Sequence, residues 1–267
     1  MAQAIETRGW RRIKISRDGR ILTLTLSNPA LRNAVDPVLH EELSEVFYAA
    51  NDDAGSDIVV LTGEGGSFCA GGDINWFAEA AEGRAKLPGI MEAKKIIFGM
   101  LDLEKPLIAK IRGPAVGLGC TLALFCDTVF AADDAVFIDP HVKVGVVAGD
   151  GGAVIWPHLV GHARAKEFLM TGDPVPAEAA LRMGLINHVV PGAELDARVD
   201  AFARKLAGGA TLAIRYTKVS VNLGLKQLVT TILDASIAYE MTTFATADHR
   251  EAISAFLGKR KPQFTGG

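Results

Sequence analysis

The sequence predicts an α/β protein in which alternating strands and helices are followed by a helical region. Three observations predict this fold class. Short apolar runs of strand type recur along residues 1–193, glycine clusters follow several of these runs, and only helical periodicity follows residue 193. We therefore expect a core over residues 1–193 that holds the binding functions, and a helical C-terminal region over residues 194–267.

The first elements follow from the side-chain pattern. Ile21–Leu26 alternates apolar residues with threonine, which is typical of a half-buried strand. Asp36 and Pro37 predict a helix start, because aspartate can cap a helix and proline suits the first turn. Ile58–Thr62 and Leu107–Ile111 are apolar enough to be buried strands.

The later elements of the core are shorter. Gly117–Cys126 predicts a buried helix, and Val129–Ala132 and Ala135–Ile138 predict short strands. Helices are expected over 152–170, where Pro157 interrupts or delimits the helix, and over 176–183. Ile186–Val189 predicts the last strand. The C-terminal region predicts four helices, over 194–207, 211–224, 228–246 and 248–257.

Composition excludes several classes of protein. The formal net charge of the 267-residue chain is −3, which gives no electrostatic case for nucleic-acid binding. Its three cysteines (Cys69, Cys120, Cys126) form no CxxC pair, so we expect a reducing, cytoplasmic setting rather than a disulfide framework. No apolar stretch approaches the roughly 20 residues of a membrane span. Neither a metal-ligand motif nor a dinucleotide fingerprint is present.

Glycine is the over-represented residue, with 28 in the chain. Twelve of them lie in three clusters, within 63–72, 113–119 and 145–152. A strand–glycine–helix turn leaves backbone N–H groups free at the helix start, and two such groups converging on one oxygen form an oxyanion hole. The spacing of the glycines by itself is equally consistent with tight turns that bind no ligand.

Several longer segments carry a family resemblance. They are Asn28–Ala34 (NPALRNA), Phe68–Ile74 (FCAGGDI), Lys105–Asp127, Phe137–Gly152, Ala177–Val190 and Phe256–Phe264. In these segments the chain resembles the crotonase (enoyl-CoA hydratase/isomerase) superfamily. The resemblance implies a ClpP-like spiral of ββα units with a helical C-terminal trimerisation region. It also implies an acyl-CoA substrate, with coenzyme A as part of that substrate and no tightly bound cofactor, and a homotrimer or dimer of trimers.

The resemblance also implies roles for individual residues. The oxyanion-hole donors fall on the backbone N–H groups of Gly72 and Leu118. The coenzyme A contacts fall on Ala30, Leu31, Arg32 and Ala70, and on the C-terminal residues Lys259, Lys261 and Phe264, which would reach a neighbouring subunit. A solvated surface role remains the alternative for Arg32 and for the C-terminal residues.

The chain departs from the family at its acid/base positions. Where hydratases of the family carry two glutamates, this sequence has Thr121 and His141. A threonine hydroxyl is no base at neutral pH, whereas histidine is suited to acid/base catalysis there. Asp150 would orient His141 as a dyad, and Asp139 is the weaker carboxylate candidate. The alternative is a neutral pocket histidine, with Asp150 capping the next helix.

The acyl pocket is expected to be lined by Ile74, Trp76, Phe77 and Thr121, with Trp156 as a further candidate. Core packing is the alternative role for the aromatic residues. Asp73 is expected to cap a helix rather than to touch substrate.

Three functional hypotheses follow. The first is an acyl-CoA enzyme of the hydratase/isomerase class that stabilises a thioester enolate, with His141 as acid/base. The second is a hydrolase of carbon–carbon bonds in β-diketones, using His141 and Asp150. The third is a non-catalytic binder of acyl-CoA. RNA binding, known among crotonase relatives with a lysine-rich first helix, is disfavoured because this helix carries Glu41, Glu42 and Glu45 instead.

Overall fold

A six-stranded sheet forms the centre of the protein, as seen in a computed structural model that describes residues 4–267. The strand order is β1-β2-β3-β4-β6-β9. β1 runs antiparallel to β2, and every later pair in this sheet is parallel. The strands are β1 (Ile13–Asp18), β2 (Ile21–Leu26), β3 (Ile58–Gly63), β4 (Leu107–Ile111), β6 (Thr128–Ala132) and β9 (His188–Val190).

A smaller three-stranded sheet, of order β5-β7-β8, lies beside the first. Its strands are β5 (Pro114–Val116), β7 (Val136–Ile138) and β8 (Val175–Pro176). β4 and β6 in the large sheet are each followed directly by a strand of the small sheet, β5 and β7, and then by a helix. This ββα order confirms the fold class that the sequence predicts.

The described residues contain ten α-helices. They are α1 (Pro37–Asp52), α2 (Ile74–Ala81), α3 (Ile90–Asp102), α4 (Leu118–Leu124), α5 (Gly152–Val160), α6 (His162–Thr171), α7 (Ala177–Met183), α8 (Leu195–Ala207), α9 (Thr211–Phe244) and α10 (Ala247–Leu257). Asp36 and Asp73 accept hydrogen bonds from the first turns of α1 and α2, as expected. No helix between residues 4 and 267 combines the length and apolarity needed to cross a bilayer.

The core lies on both faces of the large sheet. On one face, Leu22, Leu24 and Leu26 are fully buried together with residues of α1 and α3. On the other face, α8 packs Leu195 and Val199 against the strands. The threonines of β2 are only partly buried, so its alternating sequence matches its position in the sheet.

Two helix boundaries differ from the prediction. The break in 152–170 falls at Gly161, whose φ of +78° ends α5, and Pro157 lies inside the helix. α9 is one helix of 34 residues rather than two, and Gly224 lies within it. Gly224 lacks the positive φ of a helix-ending glycine, so the helix continues through it, and a Cβ there would have nothing within 4 Å. β1, β5, β8 and α3 were not predicted.

Candidate active site

A cavity of about 440 Å³ opens between the loops that follow β3 and β5, helix α2 and the C-terminal helices. Most of its wall is apolar. The polar side chains on the wall include His141, Asp150 and Glu240, which lie close together. This combination of an apolar cleft with a few convergent polar groups is typical of a small-molecule site.

Two glycine-containing segments run side by side along this cavity. Cys69 and Ala115 are parallel neighbours, and the N–H of Val116 donates to the carbonyl of Cys69 at 2.9 Å. Three residues further along each segment come Gly72 and Leu118, and both line the cavity. The register of the two segments therefore brings these two residues to the same part of the wall.

The backbone N–H groups of Gly72 and Leu118 are free to bind a ligand. Leu118 is the first residue of α4, so its N–H precedes the hydrogen bonds of the helix. Within residues 4–267, no acceptor is bonded to either N–H. The positive φ of Gly117 (+52°) turns the chain into the helix at this point. Two neighbouring unbonded donors can hold one oxyanion.

His141, on the cavity wall, lies between two carboxyl groups. It begins a short 3₁₀ helix (His141–Val144) that follows β7. Its Nδ1 lies 2.5 Å from Asp139 Oδ1, and its Nε2 lies 3.4 Å from Asp150 Oδ2. The closer partner is thus Asp139, which the sequence analysis ranked second, while Asp150 faces the opposite nitrogen.

These contacts shift the pKa values of His141 and Asp150. Burial by itself lowers the pKa of His141, but the charges of Asp139 and Asp150 outweigh it and raise that pKa well above its ordinary value. Burial opposes ionisation of Asp150, yet the charge of His141 and hydrogen bonds from His141 and Thr121 lower the pKa of Asp150. Both shifts favour an imidazolium paired with an ionised Asp150.

Thr121 supports Asp150 rather than lining the cavity. Its hydroxyl donates to Asp150 Oδ1 at 3.0 Å, and its side chain is fully buried. The expectation of Thr121 as a pocket residue is therefore not matched by its place in the fold, because α4 points the side chain towards the loop that carries Asp150. That loop also gives Asp150 a weaker contact with the N–H of Gly152, at 3.4 Å.

Glu240 is a site residue that the sequence analysis missed. It lies on α9, lines the cavity, and places Oε1 3.9 Å from His141 Nε2. Burial raises the pKa of Glu240 to about 8. A Cβ at Gly149 would lie 2.5 Å from Glu240 Cβ, so glycine lets α9 approach this loop. The available signal was a charged residue in the buried stripe Val229, Leu233, Ser236 and Ile237.

The predicted apolar residues after Asp73 do line the cavity. Ile74, Trp76 and Phe77 all contribute to its wall. The ring of Phe77 covers Gly72, where a Cβ would overlap it. Trp156 is elsewhere, fully buried in the core with its ring centroid 5.8 Å from that of Phe168.

Comparison with known proteins identifies the family of this chain. The family model described as enoyl-CoA hydratase/isomerase matches residues 16–267. The chain belongs to the enoyl-CoA hydratase/isomerase family. It is 34% identical to the crotonyl-CoA hydratase of Syntrophomonas wolfei over 258 residues, which cover 94% of this chain and 97% of the relative.

Relatives with different reactions are equally similar. The 1,2-epoxyphenylacetyl-CoA isomerase of Escherichia coli is also 34% identical, over 92% of this chain and 95% of the relative. Among solved structures, an enoyl-CoA hydratase/isomerase from Mycobacterium paratuberculosis superposes with a TM-score of 0.85 at 34% identity, covering 91% of this chain and 97% of the other. Identity alone therefore does not choose between hydration and isomerisation for this member of the family.

The predicted coenzyme A contacts of the core lie beside the cavity. Ala70 is on the cavity wall, and its N–H donates to the carbonyl of Arg32 at 3.1 Å. Ala30 and Leu31 belong to a short 3₁₀ helix (Pro29–Leu31) that precedes Arg32, and all three are exposed. The structure thus brings the four residues into one region at the cavity edge.

The C-terminal residues are arranged differently. Lys259, Lys261 and Phe264 are exposed and do not line the main cavity. Arg260, between the two lysines, does line it and pairs with Glu251. Within one chain the predicted basic residues of the tail therefore stay apart from the cavity.

Proposed function

We propose that this family member binds an acyl-CoA thioester in the cavity and stabilises its enolate. The observation that carries the proposal is the neighbouring pair of unbonded N–H groups at Gly72 and Leu118, opposite an acid/base cluster. A thioester carbonyl polarised by two donors has a more acidic α-carbon, and the enolate oxygen that forms is the charge the donors stabilise.

Proton transfer is assigned to His141, Asp150 and Glu240. Asp150 is the ionised carboxylate on the cavity wall, so it accepts a proton from water or from carbon. His141 as imidazolium, or Glu240 as a neutral acid, returns a proton to the α-carbon. For hydration, water adds its hydroxide to the β-carbon, Asp150 takes the remaining proton, and the enolate is protonated at the α-carbon. A deprotonated acceptor, Asp150, and a protonated donor, His141 or Glu240, thus replace the family's pair of glutamates in this proposal.

Coenzyme A is assigned to the edge of the cavity. Ala30, Leu31, Arg32 and Ala70 meet there, and Ala70 links this edge to the proposed oxyanion hole. The exposed Lys259, Lys261 and Phe264 are assigned to the coenzyme A of a neighbouring subunit in a homotrimer or dimer of trimers. The chain itself supplies no resident cofactor in this proposal.

A proline substitution tests the oxyanion hole directly. Leu118→Pro removes the N–H, and the first position of a helix tolerates proline because its N–H has no helical acceptor. Leu118→Ala keeps the N–H and is the matched control. We expect about 10²–10³-fold lower kcat for the proline variant, or about 2.7–4 kcal/mol, with crotonyl-CoA or another enoyl-CoA as substrate. Equal activity of the two variants would contradict the proposal.

Hydrolysis of a carbon–carbon bond is the second candidate. It is favoured because the imidazole of His141 lies between the carboxyl groups of Asp139 and Asp150. Such an arrangement suits the activation of water. Water would add to a ketone carbonyl, Asp150 would take its proton, and the carbon–carbon bond would break to a carboxylic acid and an enolate. The proposed hole would hold this enolate until it is protonated.

Mass spectrometry separates the candidates. The panel contains crotonyl-CoA, a 3-enoyl-CoA, linear β-diketones and cyclic 1,3-diketones. Addition of water to crotonyl-CoA supports hydration, and a shifted double bond at unchanged mass supports isomerisation. Acid and ketone fragments from a linear β-diketone support the hydrolase. Binding of acyl-CoA without turnover of any compound would leave only the hypothesis of a non-catalytic acyl-CoA binder.

A further inference from the structure

A second polar group lies in the same cavity, on helix α1. His40 lines the cavity although its residue surface is only 6% exposed. Its Nδ1 lies 2.6 Å from Oε1 of Glu92, which is in the first turn of α3. The pair is separate from the acid/base cluster, since none of the contacts of His141, Asp150 or Glu240 involves His40 or Glu92.

The wall around His40 is otherwise apolar. The ring of Trp76 stands edge-on to His40 at a centroid distance of 6.0 Å, and Leu87, Pro88 and Ala93 line the same cavity. The one polar atom of the Trp76 side chain is occupied, because Nε1 donates to the carbonyl of Lys86 at 3.0 Å. Nothing in residues 4–267 bonds to Nε2 of His40. Nε2 is not among the enclosed side-chain nitrogens that lack a partner, so it is accessible from the cavity and free to bond a ligand group.

The charge of Glu92 restricts what that ligand group can be. The hydrogen bond from His40 lowers the pKa of Glu92, so the carboxylate is ionised and holds a proton on Nδ1. Nε2 then accepts a hydrogen bond when the ring is neutral and donates one when the ring is protonated. A hydroxyl group matches both states. An anionic group would be repelled by the nearby carboxylate.

We propose that His40 Nε2 binds a hydroxyl group on the acyl chain of the substrate, which makes His40 a specificity-determining residue. The inference rests on the proposed acyl-CoA function. The thioester carbonyl would lie at Gly72 and Leu118, the apolar chain would run along Trp76, and the hydroxyl would reach His40. The substrate class is therefore a hydroxylated rather than a plain apolar acyl-CoA.

Matched thioesters test this assignment. The probes are (E)-hex-2-enoyl-CoA and its 4-, 5- and 6-hydroxy derivatives, compared through the ratio of kcat/KM for each hydroxy compound to that of the plain one. We expect at least one ratio near 10 in the natural chain, since one hydrogen bond of about 1.4 kcal/mol corresponds to a factor of ten. His40→Leu should bring that ratio to about 1 or below. His40→Gln, which keeps a polar atom near the position of Nε2, should retain part of it.

The ratio distinguishes recognition from a structural role. If His40 and Glu92 only tie α1 to α3, His40→Leu lowers activity on both compounds by the same factor and leaves the ratio unchanged, which would overturn the proposal. A natural chain with all three ratios at or below 1 would overturn it as well. If no thioester is turned over, the proposed function fails separately, and the ratio of dissociation constants for the same compounds, measured by calorimetry, still tests the hydroxyl site.

Discussion

At the scale of single residues, the charge state of His141 decides which role it can take in the proposed reaction. Both ring nitrogens face carboxyl groups, at 2.5 Å for Asp139 and 3.4 Å for Asp150. A neutral imidazole donates from one nitrogen only, whereas the imidazolium donates from both. In the proposed mechanism His141 therefore acts as a proton donor or as the positive charge that keeps Asp150 ionised, and the proton acceptor is a carboxylate.

Removal of the imidazole is the first prediction. His141→Ala leaves Asp139 and Asp150 without their cation, so we expect about 10²–10⁴-fold loss of kcat on the substrate found in the panel. His158→Ala is the control, because His158 is exposed on α5 outside the cavity. Steady-state kinetics of both variants give the comparison. Unimpaired turnover by His141→Ala would exclude His141 from acid/base chemistry.

The protonation of Glu240 gives the second prediction. Because burial raises its pKa to about 8, Glu240 is a neutral acid at pH 7 and loses its proton as the pH rises through 8. We expect kcat to fall above about pH 8 in the natural chain. Glu240→Gln cannot ionise at this position. Its kcat should be lower overall and should show no fall above this pH, so the alkaline limb of the pH profile disappears. Glu178→Gln, an exposed carboxyl on α7, should keep the limb unchanged.

The residues of the site were predictable to different degrees. Gly72, Leu118, His141 and Asp150 lie in segments whose family resemblance is local, so the printed sequence was enough to select them. Glu240 lies 90 positions beyond Asp150, and only the packing of α9 on the loop around Gly149 brings it to the cavity. No short-range pattern encodes which distant helix covers a loop.

At the scale of elements, the turn between β4 and β5 positions the donor segments. Gly113 in this turn has φ +56°, and a Cβ there would overlap the carbonyl oxygen of Gly66. Gly66 belongs to the loop that follows β3 and leads to Gly72. Close backbone approach at Gly113 thus holds the two glycine-containing segments side by side.

A pair of alanine substitutions measures this close approach, as the third prediction. Gly19, in the β1–β2 turn, has a nearly identical φ of +57° but nothing within 4 Å of its Cβ position. Gly19→Ala should therefore cost only the left-handed backbone strain, about 1–2 kcal/mol of unfolding free energy. Gly113→Ala adds the overlap with backbone and should cost at least about 1 kcal/mol more. Urea unfolding gives the free energy of unfolding of both variants. Equal losses of that free energy would contradict a packing role for Gly113.

Elements were predictable where the side-chain pattern was long enough. β2 alternates over six residues and was found, whereas β8 has two residues and β5 has three, too few to carry a pattern. β1 was missed because most of its residues are exposed and charged residues such as Lys14 and Arg17 occur on both of its faces. α9 was divided in the prediction because a glycine near its middle suggests a helix end, and only its backbone conformation, without a positive φ, shows otherwise.

At the scale of the whole molecule, α9 presents an apolar stripe outward. Leu212, Tyr216 and Leu223 are 60%, 57% and 59% exposed, and their spacing places them on one face of the helix. An exposed apolar face of this kind is typical of an interface between proteins. It agrees with the assembly implied by the family resemblance, a homotrimer or dimer of trimers.

Assembly is the fourth prediction. We expect the natural chain to sediment as a trimer or hexamer, and Leu223→Glu to shift it to smaller species, because burying an unpaired charge is costly. Met170→Glu is the control, since Met170 is equally apolar and 68% exposed but lies on α6. Analytical ultracentrifugation reports the masses. A monomeric natural chain would exclude the neighbour-subunit role assigned to Lys259, Lys261 and Phe264.

The two unbonded N–H groups also determine how the site responds to sequence change. A mutational scan that exchanges side chains leaves the donor at Leu118 in place for every residue except proline, so most variants there should survive selection for activity. The glycines that shape the backbone around it would be rejected instead. Protein semisynthesis that replaces the amide of Leu118 by an ester would delete the donor while every side chain stays in place. In the sequence, the centre of this proposed site is therefore marked by the glycines that permit its backbone conformation, rather than by a recognisable side chain.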